Sequence, residues 1–160
     1  MVTMRRWIAA IVALVATLLA ACGSGNGEAT PVACLGSAPR YLNALQDAPR
    51  EVRLRGQTAI SDCFAGTQPA GDQAQVGETV IQAATRLNAD ARRNPGGHQN
   101  VMLGYLVGAV HQGASHSSGI NADLVRRLDA AARFNPGGGS PGAVFERAFG
   151  KGYAAGEDTG

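Results

Sequence analysis

The chain has 160 residues, 45% hydrophobic and 16% charged, with 22 glycines and a formal net charge of +2. That length suits one domain, and so small a charge excludes the electrostatic footprint of a nucleic-acid-binding surface. Three cysteines are too few for a disulfide-dense miniprotein, and the glycines show no collagen period.

Met1 to Arg6 ends in two cations, Trp7 to Leu18 is apolar apart from Thr17, and no charge recurs before Glu28. This apolar run is shorter than the ~20 residues of a permanent membrane span. A charged start, a short apolar core and small residues after it describe a secretory signal peptide over residues 1–21. The small residues, Leu19-Ala20-Ala21-Cys22, resemble the lipobox of bacterial lipoproteins. The resemblance implies a diacylglyceryl group on the Cys22 thiol, cleavage in front of it, and a place on the extracytoplasmic face of a cell membrane. Two acyl chains hold such an anchor durably. Taking 21 residues from 160 leaves a mature chain of 139, and the loss of Arg5 and Arg6 leaves twelve cations facing twelve acids. The expected partners are therefore the membrane, through the diacylglyceryl anchor, and an envelope protein or peptide, not nucleic acid.

Residues 22–33, rich in glycine and polar side chains, read as a flexible tether. A single helical domain is expected over 34–156, followed by an acidic, disordered tail at 157–160. Ser37 and Pro39 open the first helix as cap and first-turn proline. Tyr41, Leu42 and Leu45 face inward, and the helix stops before Ala48-Pro49. Pro49 starts a second helix carrying Val52, Leu54, Ile60, Cys63 and Phe64, and residues 66–71 form a loop. The third helix, about 72–93, has the stripe Val76, Val80, Ala84, Leu87 and Ala91, whose spacing is helical. The fourth, about 99–113, is apolar all round and so central and buried; Gly104 and Gly108 share one face and permit close packing of backbones. The fifth runs from an Asn121 cap to Phe134 with Leu124, Leu128 and Ala131 inward. The sixth starts at Ser140-Pro141 and buries Val144, Phe145, Ala148, Phe149 and Tyr153. No stretch alternates like a strand. The expected fold is all-α, about six helices as three helical hairpins, in a small bundle or a short solenoid.

An internal echo supports the hairpins. Arg86-Leu-Asn-Ala-Asp-Ala-Arg-Arg-Asn-Pro-Gly-Gly returns 41 residues later as Arg127-Leu-Asp-Ala-Ala-Ala-Arg-Phe-Asn-Pro-Gly-Gly, and beyond the turn the offset is 42. The unit is helix, turn, helix, with a period in the range of helical-hairpin repeats. It is faintly similar to tetratricopeptide-like repeats, although their signature residues find no place here.

Chemistry is sparse. His98, His111 and His116 are the only candidates for a metal, and weak ones, since 111 and 116 point about 140° apart on a helix. No cofactor is implied. Gly113-Ala-Ser115-His-Ser117 lacks the final glycine and the strand of a nucleophile elbow and reads as a polar loop. The two Asn-Pro-Gly-Gly segments follow helices and carry no Lys-Ser/Thr pair, so they are helix stops, not phosphate loops. Arg92-Arg93 and Arg126-Arg127 read as solvated helix faces. No catalytic residue emerges, and the favoured reading is a non-enzymatic domain that binds a protein, peptide or envelope component. The alternative is an envelope hydrolase or metal-handling lipoprotein using the histidines. With Cys22 consumed by lipid, Cys34 and Cys63 form an even pair in an oxidising compartment. A break at Ala48-Pro49 lies midway between them, so a hairpin folded there brings them level and a disulfide is expected.

Overall fold

The computed structural model describes residues 29–66, 68–115 and 119–160. Five α-helices lie among them: α1 (Ala38–Ala44), α2 (Ala70–Arg93), α3 (His98–Ala114), α4 (Ile120–Arg133) and α5 (Ala143–Thr159). The chain is mainly helical, as its periodicity implies. The expected signal peptide, Cys22 and most of the expected tether lie outside the described residues.

The expected second helix does not form. The chain turns at the cis Ala48–Pro49 bond, and two short strands follow, β1 (Arg53–Leu54) and β2 (Thr58–Ala59). They pair antiparallel, Arg53 opposite Ala59 and Leu54 opposite Thr58. Val52 and Leu54 are buried while Arg53 between them is exposed, the alternation of a strand and not the spacing of a helix. The turn needs left-handed backbone at Arg55 (φ 50°) and Gly56 (φ 75°), which a continuing helix could not supply. A 3-10 turn, Ser61–Phe64, then buries Cys63 and Phe64. Cys34 and Cys63 are joined in a disulfide, with Cα atoms 5.4 Å apart. The pairing is the expected one, reached through a β-hairpin instead of a helical return.

The tether ends sooner than its composition suggests. Thr30 is already buried, and Pro31 to Leu35 form a turn in which the Cys34 N–H donates to the Pro31 carbonyl at 2.8 Å. Inside this segment the buried Tyr41 hydroxyl donates to the Cys34 carbonyl at 2.9 Å.

α3 is central. Every residue from Met102 to Val110 is buried, against Val76, Val80 and Leu87 of α2, Leu128 of α4 and Phe145 and Phe149 of α5 in one core. α3 and α5 approach backbone to backbone. A Cβ placed on Gly104 or Gly108 would run into the carbonyl oxygen of Phe149 or Tyr153, and one on Gly152 or Gly156 into that of Val101 or Tyr105. Contact order rises together along both helices, so α3 and α5 run in the same direction. α2 and α4 do too: Gly77 sits against Leu124, and Asn88 reaches Ala131 and Phe134.

The same packing corrects the expected tail. Residues 157–159 complete α5, and Gly160 is buried against Ala109. The Ser61 hydroxyl donates to the Gly160 carbonyl, and the Tyr105 and Thr159 hydroxyls lie 3.0 Å apart. Glu157 and Asp158 are exposed, while Gly152, Gly156 and Gly160, four residues apart, seat the helix, so the segment is held by its glycine face. Two starts also move. α4 begins at Ile120 after Gly119, whose φ of 71° suits the entry, and Asn121 is buried instead of capping. α5 begins at Ala143, leaving Ser140-Pro141 in the loop, and Val144 is 50% exposed. No described helix is long and apolar enough to cross a membrane.

Candidate functional site

A cleft of 490 Å³ opens where α3, α4 and α5 meet, lined by Val107, His111, Asp129, Arg133, Glu146, Phe149, Gly150 and Tyr153. α3 contributes His111 at the point where its buried run ends. α4 contributes Asp129 and Arg133, four residues apart and therefore on one face. α5 contributes Phe149 and Tyr153 by the same spacing.

His111 is held at both ring nitrogens. Nε2 lies 2.9 Å from the Asp129 carboxylate and Nδ1 lies 3.2 Å from the Tyr153 hydroxyl. An ionised carboxylate only accepts, so Nε2 carries a proton toward Asp129. The Tyr153 hydroxyl has a single proton, so at any moment it serves either Nδ1 of the neutral ring or the Glu157 carboxylate. The two rings meet edge to face, centroids 5.5 Å apart. Desolvation pushes the Tyr153 phenol up to about 12, helped by a hydrogen bond to Glu157 and by the negative charges of Glu157 and Asp129. At neutral pH the phenol is a hydrogen-bonding group, not a nucleophile.

The other wall is a second pair. Arg133 lies 3.2 Å from the Glu146 carboxylate, and its guanidinium sits over the Phe149 ring at 5.1 Å. The cleft thus combines an apolar floor with one ion pair and one histidine–carboxylate hydrogen bond. Such a surface suits reversible recognition, because a ligand can exchange these partners for its own without exposing a bare charge.

The histidines are not gathered. His98 Nε2 lies 3.0 Å from the Gln46 carbonyl, where α3 starts, and His111 is in the cleft at the helix's other end. His116 lies outside the described residues. Among the described residues no group of three His, Cys, Asp or Glu is placed to hold a metal ion. Ser115 directly follows α3, and its hydroxyl donates to the Gln112 carbonyl at 2.7 Å. Both Asn-Pro-Gly-Gly segments are turns: Gly97 N–H donates to the Asn94 carbonyl at 2.8 Å, and Gly138 N–H to that of Asn135 at 3.0 Å.

The arginine pairs are not uniformly solvated. Arg93, Arg126 and Arg127 are exposed and face Asp90, Asp123 and Glu78. Arg92 is half-buried, lies over the Phe145 ring at 5.9 Å and donates to the Arg133 carbonyl at 3.2 Å.

Asp129, Arg133, Glu146 and Tyr153 did not stand out in the sequence as site residues. The signal for two of them lay in the echo, where Asp129 and Arg133 occupy the positions of Asn88 and Arg92 one repeat earlier. A polar pair four residues apart, recurring in two copies of an Ala-rich helix, marks a face on which each copy keeps hydrogen-bonding groups. Glu146 and Tyr153 had no such mark, because only tertiary packing sets them beside α4 and α3.

Neither a known protein family, nor a curated protein, nor a solved structure matches this chain.

Proposed function

We propose that this chain is a lipid-anchored envelope protein whose helical domain binds a protein, peptide or other envelope component in the cleft around His111. The anchor is the diacylglyceryl group on Cys22, after removal of residues 1–21, and the protein stands on the extracytoplasmic face of the membrane. The observation that carries the binding half is the cleft itself: 490 Å³, apolar at its floor, with His111–Asp129 and Arg133–Glu146 as exchangeable pairs on its walls. The Leu19-Ala-Ala-Cys22 segment supports the anchored half, and a buried Cys34–Cys63 bridge suits an oxidising compartment.

We read α2–α3 and α4–α5 as two copies of one helical hairpin stacked side by side, in the manner of a short solenoid. The 41-residue echo and the common direction of α2 with α4, and of α3 with α5, support that reading. The disulfide-closed segment before them takes the place of a third hairpin and covers one end.

Photo-crosslinking in intact cells tests the binding half. Gly150 lines the cleft, and a side chain there meets nothing within 4 Å, as is true of Gly71 at the start of α2. A photoreactive residue at 150 is expected to give a discrete adduct in the membrane fraction, and the same residue at 71 none. Equal adducts from both positions, or none from 150, contradict the proposal.

A further inference from the structure

Between α2 and α4 lies a second groove, of 460 Å³, walled by Ala89, Ala130, Ala131, Phe134 and Pro136. Three polar residues line it, Thr85, Asn88 and Arg92; the Thr85 hydroxyl donates to the Ile81 carbonyl at 2.8 Å, while Asn88 and Arg92 each carry one buried atom without a partner, the Asn88 Oδ1 and the Arg92 Nε. Asn88 is only 4% exposed. Its amide orientation is fixed, because Nδ2 donates to both the Ala131 carbonyl (3.0 Å) and the Phe134 carbonyl (2.8 Å). The unpaired atom is therefore the acceptor. Arg92 is fixed as well, by the Arg133 carbonyl and the Phe145 ring, so its unpaired atom is a donor. A buried polar atom left in this state keeps its desolvation cost, which a ligand group of the opposite kind offsets.

We infer that this groove binds an extended polypeptide segment, one of whose backbone N–H groups donates to Asn88 Oδ1 and one of whose carbonyls accepts from Arg92 Nε. Asn88 and Arg92 lie one turn apart on α2, so their side chains share a face. In an extended chain the N–H and C=O of a single residue point to the same edge, which is how paired residues exchange both hydrogen bonds in an antiparallel sheet. A lone acceptor and a lone donor on one helix face therefore suit the edge of a peptide backbone. An acyl chain would leave both atoms unsatisfied, and a nucleic acid would find one half-buried cation. The alanine walls admit only small side chains on the inserted face. Phe134, 62% exposed at the end of α4, has the least packing to lose and is the wall that yields to the segment. This site is distinct from the His111 cleft; it rests on the reading of the domain as a binding module and names the partner as a peptide.

The probe is an acetylated, amidated heptapeptide selected from a displayed random library against the full processed chain in neutral detergent, then titrated by calorimetry. Ala89 and Ala130 are exposed on their helices, so Ala89→Trp and Ala130→Trp fill the groove without touching the Asn88 hydrogen bonds. Either variant is expected to weaken the peptide at least ~10-fold, as is N-methylation of its central amide, which deletes one backbone donor. Gly150→Trp, which blocks the cleft, leaves the affinity unchanged. An affinity indifferent to Ala89→Trp, or a library that yields no binder, overturns the groove proposal. A peptide lost on Gly150→Trp but kept on Ala89→Trp also overturns it, while leaving the cleft reading standing.

Discussion

Residues 29–66 and residues 70–160 are held together by different means. The first region has one short helix, two two-residue strands and two 3-10 turns, and its ends are joined by the Cys34–Cys63 bridge. The second has four long helices locked by backbone contact between α3 and α5 and by buried amides. Asn100 shows the device: its Nδ2 donates to the Pro95 carbonyl (2.9 Å) and to the Phe145 carbonyl (2.7 Å), tying the α2–α3 turn to the start of α5. The helical region depends on burial and on internal hydrogen bonds. The N-terminal region depends on an oxidised bond, and so on where the protein resides.

Substitution at the α3–α5 contact has the largest expected effect. Gly152→Val puts a side chain into the Val101 carbonyl, so the helices must part, at a cost of about 4 kcal/mol or more. Circular dichroism is expected to show loss of the cooperative melt, with the disulfide unable to rescue it. Removing the bridge comes next. Cys34→Ser with Cys63→Ser opens a 30-residue loop, a chain-entropy loss of ~3.6 kcal/mol. Hydrogen exchange should accelerate over 29–66 first, while amides of α3 keep their protection. Uniform acceleration along the chain would show that the two regions form one cooperative unit.

Asn100→Ala is expected to cost about 1–3 kcal/mol, because two buried carbonyls lose their donor. A melt in denaturant measures it, with the slope unchanged. The smallest effect is alkaline. Burial raises Tyr41 beyond the ordinary phenol range, and Tyr153 is pushed up to about 12 from the ordinary 10.0. In the unfolded chain both phenols ionise first, so the stability they confer is fully present below pH 10 and is lost as pH rises, through about 12 for Tyr153 and beyond that for Tyr41. Ultraviolet titration of Tyr41→Phe and Tyr153→Phe separates the two regions' contributions.

The helical region was largely legible because its pattern is local. The stripe Val76, Val80, Ala84, Leu87 and Ala91 is buried as its spacing requires, and the Asn94 and Asn135 turns stop their helices. The N-terminal region was not, because the Val52–Leu54 alternation spans only three residues, and the Arg55-Gly56 turn decides the hairpin. The tail was misjudged on charge, although Gly152, Gly156 and Gly160 already stood at the spacing of Gly104 and Gly108. Of the cleft, only His111 was visible; its partners come from helices that only the tertiary fold brings together.

Export, oxidation and anchoring meet in a single observable, the intact mass of the protein extracted from the membrane fraction without reductant. The account predicts the chain from Cys22 to Gly160 carrying a diacylglyceryl group and lacking the two hydrogens of a closed Cys34–Cys63 pair, with Cys22→Ala accumulating as uncleaved, unacylated precursor. A mature chain that begins elsewhere without lipid, or one with both thiols free, would contradict it.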